Sequence, residues 1–411
     1  MKGKSNNNQK AGKWLNRNVT AMGFTSLFSD ASHEMATAIL AQFLKIELHS
    51  PAEILGLIEG LADLSSSFVK TYSGWLSDKI GRRKPLATLG YALTGLFISL
   101  FAFASNFLQV LFYRTAGWIG RGIRESPRDA LLAESVEPES YGHAFGFHRM
   151  MDTLGAIIGP SIAFILLPLI GFRSVFVVAL LPGILAVLVF AFFTKEKAGR
   201  KKADEERKLL TDIRGLPARF RPFLLAVGIF GIGNFANTFL VLKSTEALAP
   251  SLGVIVASSI SAFLYVLLNI GSAVFAYVFG ALGDRFSKRN LLALGYLVFS
   301  TYCTGFILLQ PTIWNYAFLF ILAGVETGAI DTVERAYAAE LLGKHNRGTG
   351  FGVMSTINGI GDFTSSVTAG ILWAVISPNA SFAYGATLAS AAAIILIICK
   401  SAKSPSNSWI F

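Results

Sequence analysis

The chain has 411 residues, of which 53% are hydrophobic and only 15% charged, with a formal net charge of +11. So apolar a composition excludes an ordinary soluble domain and calls for a bilayer as solvent. The positive charge speaks against a nucleic-acid partner, because the basic residues fall in alternate loops instead of on one face. Two cysteines, Cys303 and Cys399, both inside apolar runs, leave no disulfide framework to build on.

In chain order, residues 1–19 form a basic tail carrying Lys2, Lys4, Lys10, Lys13 and Arg17. The first apolar segment contains Asp30 and Glu34 and has no small-residue cleavage site, so it reads as a retained helix and not a signal peptide. Apolar stretches near 20–45, 52–72, 85–104, 107–135, 142–167 and 173–193 make a first set of six, filling 20–194. The polar stretch 195–221 mixes ten basic residues with five acids and reads as a cytoplasmic linker. A second six lie near 222–246, 254–281, 290–309, 314–342, 349–377 and 381–399, filling 222–399 before a short tail at 400–411. Each stretch meets the roughly 20 residues a crossing needs, although charges dilute the hydropathy of the fourth and tenth. Lys79, Arg82, Arg83 and Lys84 follow the second span, and the opposite loops carry almost no charge. By the positive-inside bias both termini are cytoplasmic, in what is expected to be a bacterial inner membrane.

The two sets of six are copies. Gly74, Asp78, Arg82 and Arg83, in GWLSDKIGRRKP, recur 206 residues later as Gly280, Asp284, Lys288 and Arg289, in GALGDRFSKRN. At the same offset Glu134 falls on Glu340, Phe145 on Phe351, Asp152 on Asn358 and Asp63 on Asn269. A register held over this length marks an internal repeat, and two parallel membrane halves imply a site between them.

GWLSDKIGRRKP resembles the loop 2–3 motif of the major facilitator superfamily, and GALGDRFSKRN is similar to its weaker partner in the second half. Gly155, Gly159 and Pro160, in GAIIGPSIA, resemble the fifth-helix motif of the drug/proton-antiporter-like branch, without its trailing glycine pair. The resemblance implies an all-α polytopic membrane protein of about twelve transmembrane helices in two pseudo-symmetric six-helix bundles. It also implies alternating access around a central site lined by helices 1, 4, 7 and 10. In this family the two loops latch the bundles on the cytoplasmic side, which makes Gly74, Asp78, Arg82, Arg83, Gly280, Asp284 and Arg289 gate residues.

The spans themselves are unusually charged, and each ionised side chain at a helix centre costs about 2.5–3.5 kcal/mol unless it is paired or hydrated. At 100° per residue, Arg114, Arg121, Arg124, Glu125, Arg128 and Asp129 occupy an arc of roughly 140° on span four. Asp30, His33 and Glu34 share a face of span one, and Glu59, Asp63 and Lys70 share one of span two. Such faces turn inward. These residues can serve as interhelix ion pairs that position the helices, or as the site itself. Arg121, Arg124 and Arg128 suit bidentate binding of an anionic group, with Asn234, Asn237 and Glu326 as further contacts from the second half. Asp30, Glu34, Glu59, Asp63 and Asp152 are candidates for carrying a coupling proton. Asp30, His33 and Glu34 also carry the spacing of an incomplete metal site, with no second set of ligands in span seven.

These features predict a secondary transporter, not an enzyme: there is no Walker loop, GxSxG or HExxH motif. It is expected to be monomeric and to need no cofactor beyond an ion gradient, most simply of protons. The expected cargo is a small anion such as an organic carboxylate, a phosphorylated metabolite or a carboxylate siderophore. Drug or toxic-metabolite efflux by proton antiport is the alternative, ahead of divalent-metal transport or a non-transporting scaffold.

Overall fold

The computed structural model describes residues 14–137, 140–196, 217–342 and 347–398, and within its helices leaves the side chains of Trp75, Asp78, Lys79 and Asp284, among others, undescribed. All regular elements among the described residues are helical. Residues 1–13, most of the 195–221 linker and the residues from Cys399 onward lie outside them.

Asn16 starts α1, Arg17–Gln42, by accepting hydrogen bonds from the backbone of Asn18 and Val19, an N-cap of the usual kind. A π-helical turn, Phe43–Glu47, leads to α2, Ala52–Ile80, which stops where Gly81 takes up the left-handed conformation at φ 70°. α3, Lys84–Ser99, begins with Pro85 in its first turn. Asn106 caps α4, Phe107–Glu134, which accommodates Pro127 internally. α5, Tyr141–Phe193, is one helical run of 53 residues broken at Gly171, with φ 72° and ψ 173°. The break falls between the two expected spans 142–167 and 173–193.

The second repeat holds one departure from expectation. The single span predicted near 222–246 is two helices, α6, Phe220–Gly233, and α7, Thr238–Leu252. Gly233 and Asn234 are poor helix formers, and α11 satisfies the backbone groups the break exposes. Ser365 donates to the Asn234 carbonyl at 2.9 Å, and the Ala236 amide donates to the Ser366 hydroxyl at 3.3 Å. Irregular backbone at membrane depth is tolerated where protein supplies such partners. α8, Val254–Arg285, α9, Lys288–Leu308, α10, Ile313–Leu341, α11, Arg347–Val375, and α12, Pro378–Ile398, follow.

Seven segments among the described residues are long and apolar enough to cross a membrane. α1, α2, α4 and α11 fall short because polar and charged residues interrupt their apolar windows. α10 meets the criterion despite its charges, since Asp331, Glu334, Arg335 and Glu340 lie in its C-terminal half and leave Glu326 alone in the apolar stretch before them.

By its contacts the chain divides into two compact units. The first comprises Met1–Glu205 with Asn237–Asn269, the second Glu206–Ala236 with Ile270–Phe411. α7 and the first half of α8 therefore group with the first-repeat helices. In the first unit α1 lies along α5 at close range, because a Cβ on Gly155 or Gly159 would collide with the carbonyl of Leu27 or Ala31. Helices in lipid associate through such close packing, not through apolar burial. Val19, Met22, Tyr91, Leu131, Leu132 and Phe190 close one end of this unit. The second unit is packed by aromatic rings: Phe230 stacks on Tyr296 with centroids 4.0 Å apart, and Phe306 on Phe382 at 4.9 Å.

Candidate functional site

The charged stripes of α1, α2 and α4 meet inside the first unit. Arg114 of α4 donates from Nη2 to Glu59 Oε2 of α2 at 2.8 Å and from Nε at 3.2 Å, with both side chains at least 97% buried. Its Nη1 donates to the Thr37 hydroxyl of α1 at 3.0 Å. One turn further along both helices, Trp118 donates from Nε1 to Asp63 at 2.8 Å. The two acids of α2 and their two partners on α4 share the same i,i+4 spacing, so one helix-on-helix register satisfies both. Two turns further on, Glu125 accepts from Arg121 Nε at 3.1 Å and lies 2.5 Å from Lys70 Nζ of α2.

On α1, His33 stands between two acids. Its Nδ1 lies 3.4 Å from Asp30 and its Nε2 3.0 Å from Glu34. Arg121 Nη1 approaches the same Nε2 at 3.2 Å, and the Tyr265 hydroxyl of α8 donates to the second oxygen of Glu34 at 3.0 Å. Arg124 bonds to Ser29, lies 3.6 Å from Asp30 and covers the ring of Tyr91 at 4.4 Å. Asp152 of α5 accepts from Ser26 at 2.7 Å and from Arg149 at 3.1 Å. Arg128 pairs with its neighbour Asp129 at 2.8 Å.

Asp30, Glu34, Glu59, Asp63, Asp152, Arg121 and Arg124 are therefore gathered in one unit, each with a polar or charged partner. The three arginines expected to form one patch hold three different acids. Arg121 is the most open of the α4 arginines, with 31% of its side chain exposed against 2%, 3% and 12% for Arg114, Arg124 and Arg128. The metal reading of Asp30, His33 and Glu34 does not survive: the carboxylates sit on opposite nitrogens of the imidazole and so do not converge on a point. No metal-binding group of three occurs among the described residues.

Of the gate residues, Gly74 packs against Ser126, and Arg82 is exposed. Arg83 is buried, its guanidinium 2.9 Å from Glu134 at the end of α4. The Arg83 and Lys84 amides donate to the two oxygens of Glu196, so a carboxylate at the start of the linker sits on the N-terminus of α3. The repeat keeps a cation on the equivalent acid but shifts it by one position: Lys288, the counterpart of Arg82, lies 3.0 Å from Glu340, the counterpart of Glu134. Gly280 packs against Thr332, and Arg289 lies in the first turn of α9. The side chains of Asp78 and Asp284 lie outside the described residues.

Asn234 and Glu326 belong to the second unit, and Asn237 directly follows the break that begins at Asn234. Glu326 is 3% exposed and accepts from the neighbouring Thr327 hydroxyl at 3.3 Å. Glu334, also buried, accepts from Asn358 of α11 at 2.8 Å.

Sequence reasoning passed over two residues. Trp118 stands four positions after Arg114 within the charged stripe, and that spacing could have found it. Tyr265 lies in an unbroken apolar run and gives no local signal.

Repeated helical halves with charge buried at their centres define a multi-pass membrane transport protein. Residues 22–267 and 244–409 both match the Major Facilitator Superfamily profile, and the chain belongs to that family of transporters. It is 32% identical over 401 residues to an uncharacterised MFS-type transporter of Methanocaldococcus jannaschii, covering 96% of this chain and 97% of the relative. It is 24% identical to the multi-drug resistance efflux pump PmrA of Streptococcus pneumoniae, over 67% of this chain and 69% of that protein. Among solved structures it is similar to the nucleoside transporter NupG, with a TM-score of 0.78 and 14% identity, covering 93% of this chain and 99% of the other. That likeness is one of fold.

Proposed function

We propose that this secondary transporter carries a small organic anion, with Arg121 as the anchoring cation and a proton gradient as the driving force. It would act by alternating access, as a single chain in the cytoplasmic membrane with both termini inside. The observation that carries this reading is the partnership around Arg121. Glu125 has two cations, Arg121 and Lys70, so an incoming carboxylate or phosphate can take over the guanidinium without leaving Glu125 bare. Arg114 and Arg124 have no such slack, being buried against the acids they hold. A planar guanidinium with donors to spare suits the bidentate geometry of an anionic group.

A thermal-shift screen of carboxylates, phosphate esters and siderophores on the purified chain tests the reading, since a ligand that binds the folded state raises its melting temperature. An anion that stabilises the native protein should lose its effect in Arg121→Gln and keep it in Arg128→Gln. Equal shifts in both variants, or no anion that shifts the native protein, would overturn it.

A second reading, export of drugs by proton antiport, is supported by the likeness to PmrA, a protein named as an efflux pump. The same screen separates the two, because lipophilic cations would then stabilise the chain and Arg121→Gln would leave that effect in place.

A further inference from the structure

We propose that Glu326 of α10 is the group that takes up and returns the coupling proton. This rests on the transport reading above and is independent of which solute is carried.

In the first unit the acids that share a face with the arginines are engaged. Glu59 holds Arg114, Asp63 accepts from Trp118, and Asp30 lies beside His33 and Arg124. Glu34 contacts His33 and Tyr265, and Asp152 accepts from Arg149 and Ser26. Glu326 differs from these. It is as deeply buried as Glu59, its hydrogen-bond partner is the Thr327 hydroxyl, which also donates to the Ala323 carbonyl at 3.0 Å, and among the described residues no Lys, Arg or His pairs with it. Asp63, whose partner is likewise neutral, is less buried and lies in the field of Arg114 and Arg121.

The groups around it offer no positive charge. α9 contributes Tyr296, Tyr302 and Cys303, and α10 itself contributes Asp331 and Glu334. Glu334 is tied to Asn358 of α11 and lies near Arg335. α8 meets α10 through Gly271, Ser272 and Ala276, none of them titratable, and α6 contributes the ring of Phe230 stacked on Tyr296. An ionised carboxylate enclosed in this way is shielded from bulk solvent and has no cation among the described residues to stabilise it, whereas the neutral acid needs only one acceptor. A proton is then the species that neutralises Glu326, in the role the guanidinium plays for Glu59.

Tyr296 supplies a second, separate observation. Its hydroxyl is fully buried, has no hydrogen-bond partner among the described residues, and stands within electrostatic reach of Glu334 and Glu326. A buried donor without an acceptor is costly, and a carboxylate that has just lost its proton is the acceptor such a donor lacks. Two arrangements follow, one with a protonated acid and an unpartnered tyrosine, the other with an ionised acid and a donating tyrosine.

Infrared spectroscopy of the full chain in lipid nanodiscs, with no solute added, tests the assignment. The native protein should show a carboxylic-acid carbonyl band that fades as pH is raised, and Glu326→Gln should lack that titrating component while Glu334→Gln keeps it. A native spectrum with no such band, or a Glu326→Gln spectrum that titrates like the native one, would overturn the proposal. Should Glu326→Gln not yield a monodisperse protein, Glu326→Asp decides. A displaced titration midpoint supports the role, and a titration superimposable on the native one overturns it. Because no solute takes part, a failed band leaves the anion reading intact, and a failed solute screen leaves Glu326 standing.

Discussion

The guanidinium of Arg114 lies on the indole of Trp118, 3.5 Å from the ring centroid, while it holds Glu59 at 2.8 Å. Four contributions converge on one buried cation: an acid, an aromatic face, a threonine hydroxyl and the helix register that brings them together. Removing one partner leaves the other charge stranded. Arg114→Ala and Glu59→Ala should each cost about 3–5 kcal/mol, and the paired change Arg114→Met with Glu59→Leu should restore most of the loss. Thermal unfolding in detergent reads both; a double variant no better than either single would contradict the ion-pair account.

Tyr91 packs its ring under Arg124, and its buried hydroxyl stands beside the Arg128 guanidinium. Tyr91→Phe should therefore cost no more than about 1 kcal/mol, the usual worth of one hydrogen bond. Tyr91→Leu should cost about 1–2 kcal/mol more, since it removes the aromatic face from a desolvated cation. The comparison requires only melting curves of the two variants side by side.

The α1–α5 interface predicts a sharp contrast between glycines. Gly159→Leu should abolish recovery of monodisperse protein in size-exclusion chromatography, because its side chain would enter the backbone of α1 at Ala31. Gly146→Ala, on the same helix with open space around it, should be recovered at native yield. Equal recovery of both would mean that α1 and α5 do not approach as described.

At the start of α3, Glu196 accepts from the Arg83 and Lys84 amides. Glu196→Ala should lower stability by about 1 kcal/mol, the usual worth of a helix cap. Glu196→Gln should recover part of that loss, since an amide oxygen still accepts one of the two bonds. Hydrogen exchange at the first turn of α3 should quicken in the alanine variant while exchange in α9 stays unchanged.

The helical class, the two repeats and most span positions were legible because apolar length and the 206-residue echo are both written locally in the chain. The pairing of Glu59 with Arg114 was half legible. Each residue announced itself as a charge in an apolar run, but helical spacing names the face and not the partner, and only the packing of α2 on α4 supplies that. The isolation of Glu326 was not legible, because the lack of a cation nearby is a property of three other helices. Nor was the contact between Tyr265 and Glu34, residues 231 positions apart with no pattern to link them. The break at Asn234 was missed for a related reason, as apolar residues on both sides kept the window hydrophobic enough to read as one span.

That break depends on two serines contributed by another part of the chain. Ser365 and Ser366 stand in for the missing turn of helix, so the shape of one span is encoded partly in the sequence of another, some 130 residues away. An apolar residue at either serine would leave α11 a good helix and would harm α6 and α7 instead. Among relatives, the asparagine and serine positions should accordingly change together.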